Sequence, residues 1–472
     1  MAIIGRKSEQ SLLKNLVESD KSEFVAVYGR RRVGKTFLIR ESFNNKFTFY
    51  HTGLANSEME MQLHSFNSSL NNYGKINYTK AKTWFDSFEQ LKHLLSHSRK
   101  KEKKVVFIDE MPWLDTPRSN FLAALEHFWN GWASGQKDIL LIVCGSITSW
   151  IVEKLLDNHG GLHNRVTQQI HLCPFTLAEC EEYYQKYHFE ISRHEMVENY
   201  MIFGGIPFYL SLMQKQFSMA QNVDNLLFTE SSPLKNEFNN LYFSLFKKAE
   251  NHIKIVETLS NKAKGLTRDE IIKISKLSNG GSLNRTLKEL ELSGFIRRYK
   301  NYGKKVRQSM YQLVDFYTLF YFNFLKENTF NDKHYWTNFI ENARHRAWSG
   351  YAFEQVCLSH LPQIKHKLGI SGVLTNAYSW TSNDKENGAQ IDLVIERNDN
   401  VINLCEIKYA NGEFTISKKY EENLRNKRAA FKEETKSRRA VHITMITTYG
   451  LKRNEYWGKI QSEVTMNELF ML

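Results

Sequence analysis

Proline and cysteine are both scarce in this 472-residue chain. Six prolines leave glycine and polar clusters to punctuate its elements. The five cysteines, Cys144, Cys173, Cys180, Cys357 and Cys405, are scattered with no CxxC pair. That spacing excludes a disulfide frame and a thiolate zinc site, and reduced, packed thiols are expected. No stretch approaches ~18 uninterrupted apolar residues, so a membrane-spanning helix is not expected. The opening MAIIGRKSEQ has no apolar segment of the secretory kind, and a cytoplasmic protein is expected. No internal repeat or low-complexity tract is evident.

What is present is globular composition, 42% hydrophobic and 24% charged. The length suits roughly three domains of ~150 residues. The net charge of +13 favours a polyanionic partner such as nucleic acid, although a basic, ordinary soluble protein satisfies charge alone.

Residues 8–18 carry Leu12, Leu13, Leu16 and Val17 at helical spacing, with Ser8 as the expected N-cap. Apolar runs at 24–28, 47–51, 105–108, 139–144 and 166–172 read as strands separated by helices, which predicts a parallel sheet covered on both faces. After Pro174 the pattern is helical to about 248. Three short helices and a hairpin follow over 249–313, then an aromatic-rich helical stretch over 314–345, then a final α/β unit over 346–472.

Gly29-Arg30-Arg31-Arg32-Val33-Gly34-Lys35-Thr36 matches GxxxxGK[ST], set between a strand and a helix. Glycines let the backbone curl so that its N–H groups face phosphates, and the next helix points its positive end at them. Lys35 would reach the β- and γ-phosphates of ATP, the Thr36 hydroxyl would ligate Mg²⁺, and Phe37 closes the nucleotide-contacting stretch. The strand at 105–108 ends in Asp109 and Glu110. Asp109 would hold Mg²⁺, and Glu110 would polarise the attacking water as general base. The strand at 139–144 leads into Gly145-Ser146, where Ser146 would sense the γ-phosphate. Arg165 would offer a cation to developing phosphate charge, or is a plain surface arginine.

Gly5-Arg6 before a helix, the loop at 29–36, the 109–110 pair, Gly145-Ser146, and Arg165 before Pro174-Phe175 together resemble the archaeal-type ATPases of the STAND group. Gly204-Gly205-Ile206-Pro207 resembles that group's GxP element, whose proline packs near adenine; a helix–helix turn is the alternative. The resemblance covers about residues 1–245. It implies an ATPase core over 1–175 and a helical lid over 176–248 that moves with the bound nucleotide.

Thr267-Arg268-Asp269-Glu270 has capping-box form and opens a helix; Gly280-Gly281-Ser282 opens a second, closed near Gly294. Runs 295–299 and 308–313 can pair around Asn301-Tyr302-Gly303, so 249–313 reads as a winged helix-turn-helix. Its wing carries Arg297, Arg298, Lys300, Lys304, Lys305 and Arg307, suited to DNA phosphates, while Asn284, Arg285 and Lys288 would face a groove. A protein-interaction module with a solvated basic hairpin is the competing reading. The aromatics Phe316, Tyr317, Phe320, Tyr321, Phe322 and Phe324 read as a packed connector rather than a base-stacking platform.

In the last unit Glu354 lies on a helix, Asp392 on a strand, and Glu406-Ile407-Lys408 on the next strand, joined to it by the 397–400 turn. Alternation puts Glu406 and Lys408 on one sheet face. Asp392, Glu406 and the Ile407 carbonyl can bind Mg²⁺ with oxygen ligands, Lys408 can position water or the scissile phosphate, and Glu354 can reach the metal or one of its ligands. This constellation resembles the PD-(D/E)XK nuclease superfamily over about 346–450, with Gln390-Ile391 where proline is usual before the aspartate. The basic residues between 415 and 439 suit a DNA backbone track or a solvated face with i,i+4 ion pairs.

The expected protein is an α/β chain with a P-loop parallel sheet, a helical lid, a winged helix and a restriction-endonuclease-like domain. It would use ATP and Mg²⁺ to process DNA, with no membrane association and homo-oligomerisation left open. The alternatives are an ATP-switched DNA-binding or scaffold regulator with a silent nuclease fold, and a signalling ATPase with no nucleic-acid partner.

Overall fold

The computed structural model describes all residues except 1, 76–77, 99–101, 158–160, 163, 305–307, 329–331, 340–341, 383–387 and 472. Lys305 and Arg307 therefore lie outside the described residues. The chain divides into two compact units, Met1–Pro174 and Phe175–Leu472. No described helix is long and apolar enough to cross a membrane.

The first unit is a parallel sheet of β1 (Glu23–Tyr28), β2 (Phe49–Thr52), β3 (Lys104–Asp109), β4 (Ile139–Gly145) and β5 (Gln168–His171), in the order β2-β3-β4-β1-β5. Every residue of β4 is buried, and β1 and β3 are part-exposed only at one end. Such continuous apolar strands belong at the centre of a sheet covered on both faces. Phe24, Phe49, Val106 and Leu141 pack in one core with Phe66, Trp84, Phe88 and Phe121 from the helices Met59–Gly74, Trp84–Ser96 and Phe121–Gly131. This packing fixes the carboxyl ends of β1, β3 and β4 side by side, where ligands of open α/β sheets bind.

The first helix begins at Lys7, not after Ser8. Gly5 and Arg6 both take left-handed φ values, 58° and 55°, and Arg6 occupies the cap. The turn is held from the Arg6 guanidinium, whose Nη2 donates to the Cys173 carbonyl at 2.6 Å, so Ser8 lies inside the helix with its hydroxyl on Glu9.

The second unit opens with the helices Leu177–Lys186, Arg193–Phe203, Pro207–Ser211 and Glu237–Leu245. The helices Ala249–Ser260, Arg268–Ser275 and Gly281–Leu292 follow, with a small antiparallel sheet of β6 (Leu266–Thr267), β7 (Ile296–Tyr299) and β8 (Met310–Leu313) in the order β6-β8-β7. The Thr267–Glu270 capping box is formed in both directions. Phe320 and Phe324 meet Trp336 and Trp348 edge-on, with ring centroids 4.9 to 5.5 Å apart, so these aromatics are spent on an interior cluster.

The helix Ala343–Ser359 then leads to a mixed sheet of β9 (Thr375–Thr381), β10 (Gln390–Arg397), β11 (Val401–Lys408), β12 (Ala440–Thr447) and β13 (Ser462–Thr465), in the order β13-β12-β11-β10-β9. β9, β10 and β11 pair antiparallel, β11, β12 and β13 parallel, and the helix Lys418–Thr435 makes the crossover from β11 to β12.

Gly204 and Gly205 end the helix Arg193–Phe203 with φ values of 65° and 67°, and Pro207 starts the next helix at its first turn. A Cβ on Gly205 would sit 2.3 Å from the Phe175 carbonyl oxygen, itself hydrogen-bonded to the Tyr200 hydroxyl at 2.9 Å. The turn therefore tolerates only glycine there. Gly205→Ala is expected to destabilise the second unit by about 2 kcal/mol or more. Thermal unfolding of the variant beside wild type checks this, and an unchanged transition refutes it.

Candidate functional site

The first site begins where β1 runs out. Gly29 has φ 141°, and a Cβ there would meet the Leu172 carbonyl oxygen at 2.3 Å. Gly34, at φ 91°, caps the helix Lys35–Ser42. Between these two bends the loop curls around the Lys35 side chain, which is only 5% exposed. Lys35 Nζ donates to the Gly29 and Arg30 carbonyls, each at 3.0 Å, and to the Ser146 hydroxyl at 3.1 Å. Arg30 and Val33 are buried, Arg31 and Arg32 are part-exposed, and Phe37 faces outward.

From β3, the Asp109 carboxylate accepts the Thr36 hydroxyl at 2.8 Å. Burial, above all, raises the Asp109 carboxyl from its ordinary value. Glu110 follows with φ 46°, a left-handed turn at the strand end. Its carboxylate accepts the Ser146 hydroxyl at 2.8 Å. Ser146 thus links the ammonium of Lys35 to the carboxylate of Glu110 from the end of β4. Spacing alone offered Ser146 as a phosphate sensor; its grip on Glu110 depends on β3 and β4 being neighbours. A hydroxyl and a carboxylate already paired make a hard oxygen set that fits Mg²⁺. Arg165 stands on an exposed turn before β5, and among the described residues no contact joins it to Lys35, Asp109 or Glu110. Pro207 lies in the second unit, part-exposed.

Comparison with known proteins agrees with this geometry. Residues 4–213 match the family described as an ATPase domain predominantly from Archaea. This match supports an ATP-binding P-loop ATPase domain in this part of the chain. Over most of its length the chain is similar to an uncharacterized protein of Methanocaldococcus jannaschii, 25% identical over 413 residues that span 86% of this chain and 87% of that protein. An uncharacterized ATP-binding protein of the same organism is 42% identical over 43 residues, 9% of this chain and 73% of that protein. Among solved structures, the Walker-type ATPase of Pyrococcus abyssi aligns at 15% identity and TM-score 0.49, covering 68% of this chain and 96% of that one. The ORC2 protein of Aeropyrum pernix, solved in ADPNP–ADP complexes, aligns at 14% identity and TM-score 0.40, covering 66% of this chain and 90% of that one.

The chain carries a second polar cluster in its second unit. The pairing of β10 with β9 shifts register between Ile391 and Val394, so Asp392 sits at a bulge. Bulges re-aim side chains. Asp392 Oδ2 accepts the Ile407 N–H at a long 3.4 Å. It is therefore the Ile407 amide, besides any carbonyl, that faces Asp392. Glu406 is 3% exposed, and Lys427 Nζ from the helix Lys418–Thr435 lies 2.6 Å from its carboxylate. A buried carboxylate takes the nearest ammonium, and no strand spacing reveals a partner 21 residues on. Burial, then the neighbouring Asp392, pushes the Glu354 carboxyl up to about 8. Burial also raises Asp392 and Glu406. Lys408 Nζ lies 5.9 Å over the Tyr420 ring. The buried Tyr420 hydroxyl has no hydrogen-bond partner among the described residues.

The buried Glu406 and the part-buried Glu354 and Asp392, beside an unpartnered phenol, form an oxygen-rich environment of the donor type that divalent cations take. The described residues do not, however, bring three His, Cys, Asp or Glu side chains together as a ready ligand group. Sequence reasoning placed Lys427 in a basic DNA track rather than on Glu406, and missed Tyr420, because both come from a helix that follows the motif.

The Lys35 contacts give the first test at this site. Lys35→Ala is expected to weaken ATP binding about 10- to 100-fold, the worth of one charge-assisted contact to phosphate. Titration calorimetry reads this directly, and an unaltered affinity would contradict the assignment.

Proposed function

We propose that this protein hydrolyses ATP with Mg²⁺ held by Thr36 and Asp109, and that its second unit cleaves nucleic-acid phosphodiesters with a divalent cation at Asp392 and Glu406. The observation that carries the ATPase half is the chain Lys35–Ser146–Glu110 beside the Thr36–Asp109 pair. Lys35 neutralises the β- and γ-phosphate oxygens. Glu110 takes the proton of the attacking water as its oxygen bonds to the γ-phosphorus, and ADP leaves. Ser146 holds Glu110 in place and reports on the phosphate that Lys35 contacts. Mg²⁺, when bound, supplies neutralisation of the developing phosphate charge. Arg165 completes the reading as a cation for the phosphates.

The nuclease half rests on the bulged Asp392 set against Glu406, Lys408 and Glu354. Lys408 holds a phosphate oxygen or the nucleophilic water, and Glu354 supports the cation-binding carboxylates. Segment 249–313 is read as a winged helix and 346–472 as a nuclease-like domain, with DNA as the partner favoured by a charge of +13. The Lys427–Glu406 ion pair favours a second reading, a DNA-binding regulator whose nuclease fold is silent, because it neutralises a carboxylate that a cation would need.

Two experiments separate these readings. Glu110→Gln is expected to keep ATP affinity while lowering kcat about 100- to 10,000-fold, the usual contribution of a general base. Steady-state phosphate release beside nucleotide titration measures both, and full turnover in the variant rules Glu110 out as the base. In the second, wild type with Mg²⁺ or Mn²⁺ and ATP cuts plasmid or single-stranded DNA, and Glu406→Ala does not. Equal products from both proteins, or none from either, sink the nuclease reading and leave the silent one.

A further inference from the structure

The hairpin of β7 and β8 is not a free wing. At its tip Asn301 forms a β-bridge with Ser379 on the edge strand β9, and the Tyr302 N–H donates to the Ser379 carbonyl at 2.8 Å. The Tyr302 hydroxyl donates to Glu396 at 3.1 Å, and its ring lies 5.2 Å from that of Phe431. The tip therefore spends main-chain and side-chain bonds on the last sheet, which leaves the faces of β7 unequal. Arg297 and Arg298 are consecutive, so they point to opposite faces. Arg298 is exposed, whereas Arg297 is part-buried in a cleft of about 630 Å³ shared with Lys264, Arg346, Glu354 and Asp392.

The cleft is built, not incidental. Arg297 Nε donates to Gln312 Oε1 at 2.9 Å, across the β7–β8 ladder. Gln312 Nε2 donates in turn to the Ala263 carbonyl at 2.6 Å and to the Tyr351 hydroxyl at 3.2 Å. Tyr351 is on the helix that carries Glu354 one turn later. One hydrogen-bonded chain thus fixes the guanidinium of the hairpin relative to the carboxylates of the last domain. Lys264, Arg297 and Arg346 line the same cleft as Glu354 and Asp392, and a phosphate bridged by a divalent cation takes one partner from each set.

We infer that Arg297, with Lys264 and Arg346, forms the phosphate-positioning wall of the Asp392–Glu354 site and takes a backbone phosphate of a nucleic-acid strand. This rests on the phosphodiester-cleaving reading above. It reassigns Arg297 from a wing that tracks duplex DNA to a side of the cleft itself.

The test uses the full chain, Ca²⁺ and a short labelled single-stranded oligodeoxynucleotide, read by fluorescence anisotropy across a salt series. Thymidine monophosphate as competitor tells a strand from a free phosphate ester. Arg297→Gln is expected to weaken binding at least about tenfold and to lower the salt slope by about 0.7, one phosphate contact on a single strand. Arg297→Lys should restore part of the loss, and Arg298→Gln should stay within about twofold of wild type. The inference is overturned by wild-type affinity in Arg297→Gln, by a loss confined to Arg298→Gln, by equal competition from the monophosphate, or by no oligonucleotide binding in wild type at low salt. If Arg297→Gln does not fold, Arg346→Gln probes the same wall from an exposed position, with loss in support and no loss against. Mn²⁺ titration of wild type and Asp392→Asn runs alongside. Wild type that takes up no Mn²⁺ through Asp392 defeats the cleavage reading, whereas Mn²⁺ uptake with intact binding in Arg297→Gln defeats only this inference.

Discussion

A buried ammonium sets the terms for the first unit. Lys35 is almost fully removed from solvent, and an unpaired charge in that position would cost several kcal/mol. The loop answers by turning the carbonyls of Gly29 and Arg30 inward, which requires the backbone angles that only glycine takes without strain at 29 and 34. The third partner, the Ser146 hydroxyl, commits β4 to lie beside β1, and Ser146 then fixes Glu110 at the end of β3. The satisfaction of one charge therefore brings together the ends of three neighbouring strands at the site.

The second unit solves the opposite problem. Asp392, Glu406 and Glu354 are carboxylates gathered where burial penalises their charge, and the fold offers cations from elsewhere in sequence: Lys427 from a crossover helix, Lys408 from the strand itself and Arg297 from the hairpin. Such an arrangement costs stability relative to an apolar core. Perturbed carboxylates facing a cleft lined with cations make a better candidate for function than for structure.

How much of this could be read in advance depends on range. The glycine loop, the Asp109-Glu110 strand end and the Glu406-Ile407-Lys408 alternation are local, so their spacing carried the chemistry. The parallel sheet was legible because buried strands such as 139–145 are apolar without interruption. The cap at Arg6 was not, because Ser8 has the better local propensity and the deciding bond runs to Cys173. Strand β6 is two residues long, too short to leave a period. The Lys427–Glu406 pair and the Ser146–Glu110 bond arise only when elements far apart in sequence pack together.

The hairpin makes the same point more sharply. Its six cations look like one basic wing when read along the chain, but a strand has two faces, and docking on β9 gives those faces different neighbours. Arg298 keeps to solvent, while Arg297 is oriented by Gln312 toward carboxylates that lie beyond the hairpin's own segment. Burial drives the Arg297 guanidinium below its ordinary proton affinity, with Tyr351, Tyr299 and Glu354 opposing that shift. Gln312 Oε1 already takes the guanidinium through both Nε and Nη2, and the planar fork so oriented suits an oxyanion placed between it and the carboxylates. The hairpin therefore belongs physically to the last domain's site, whatever its connectivity suggests.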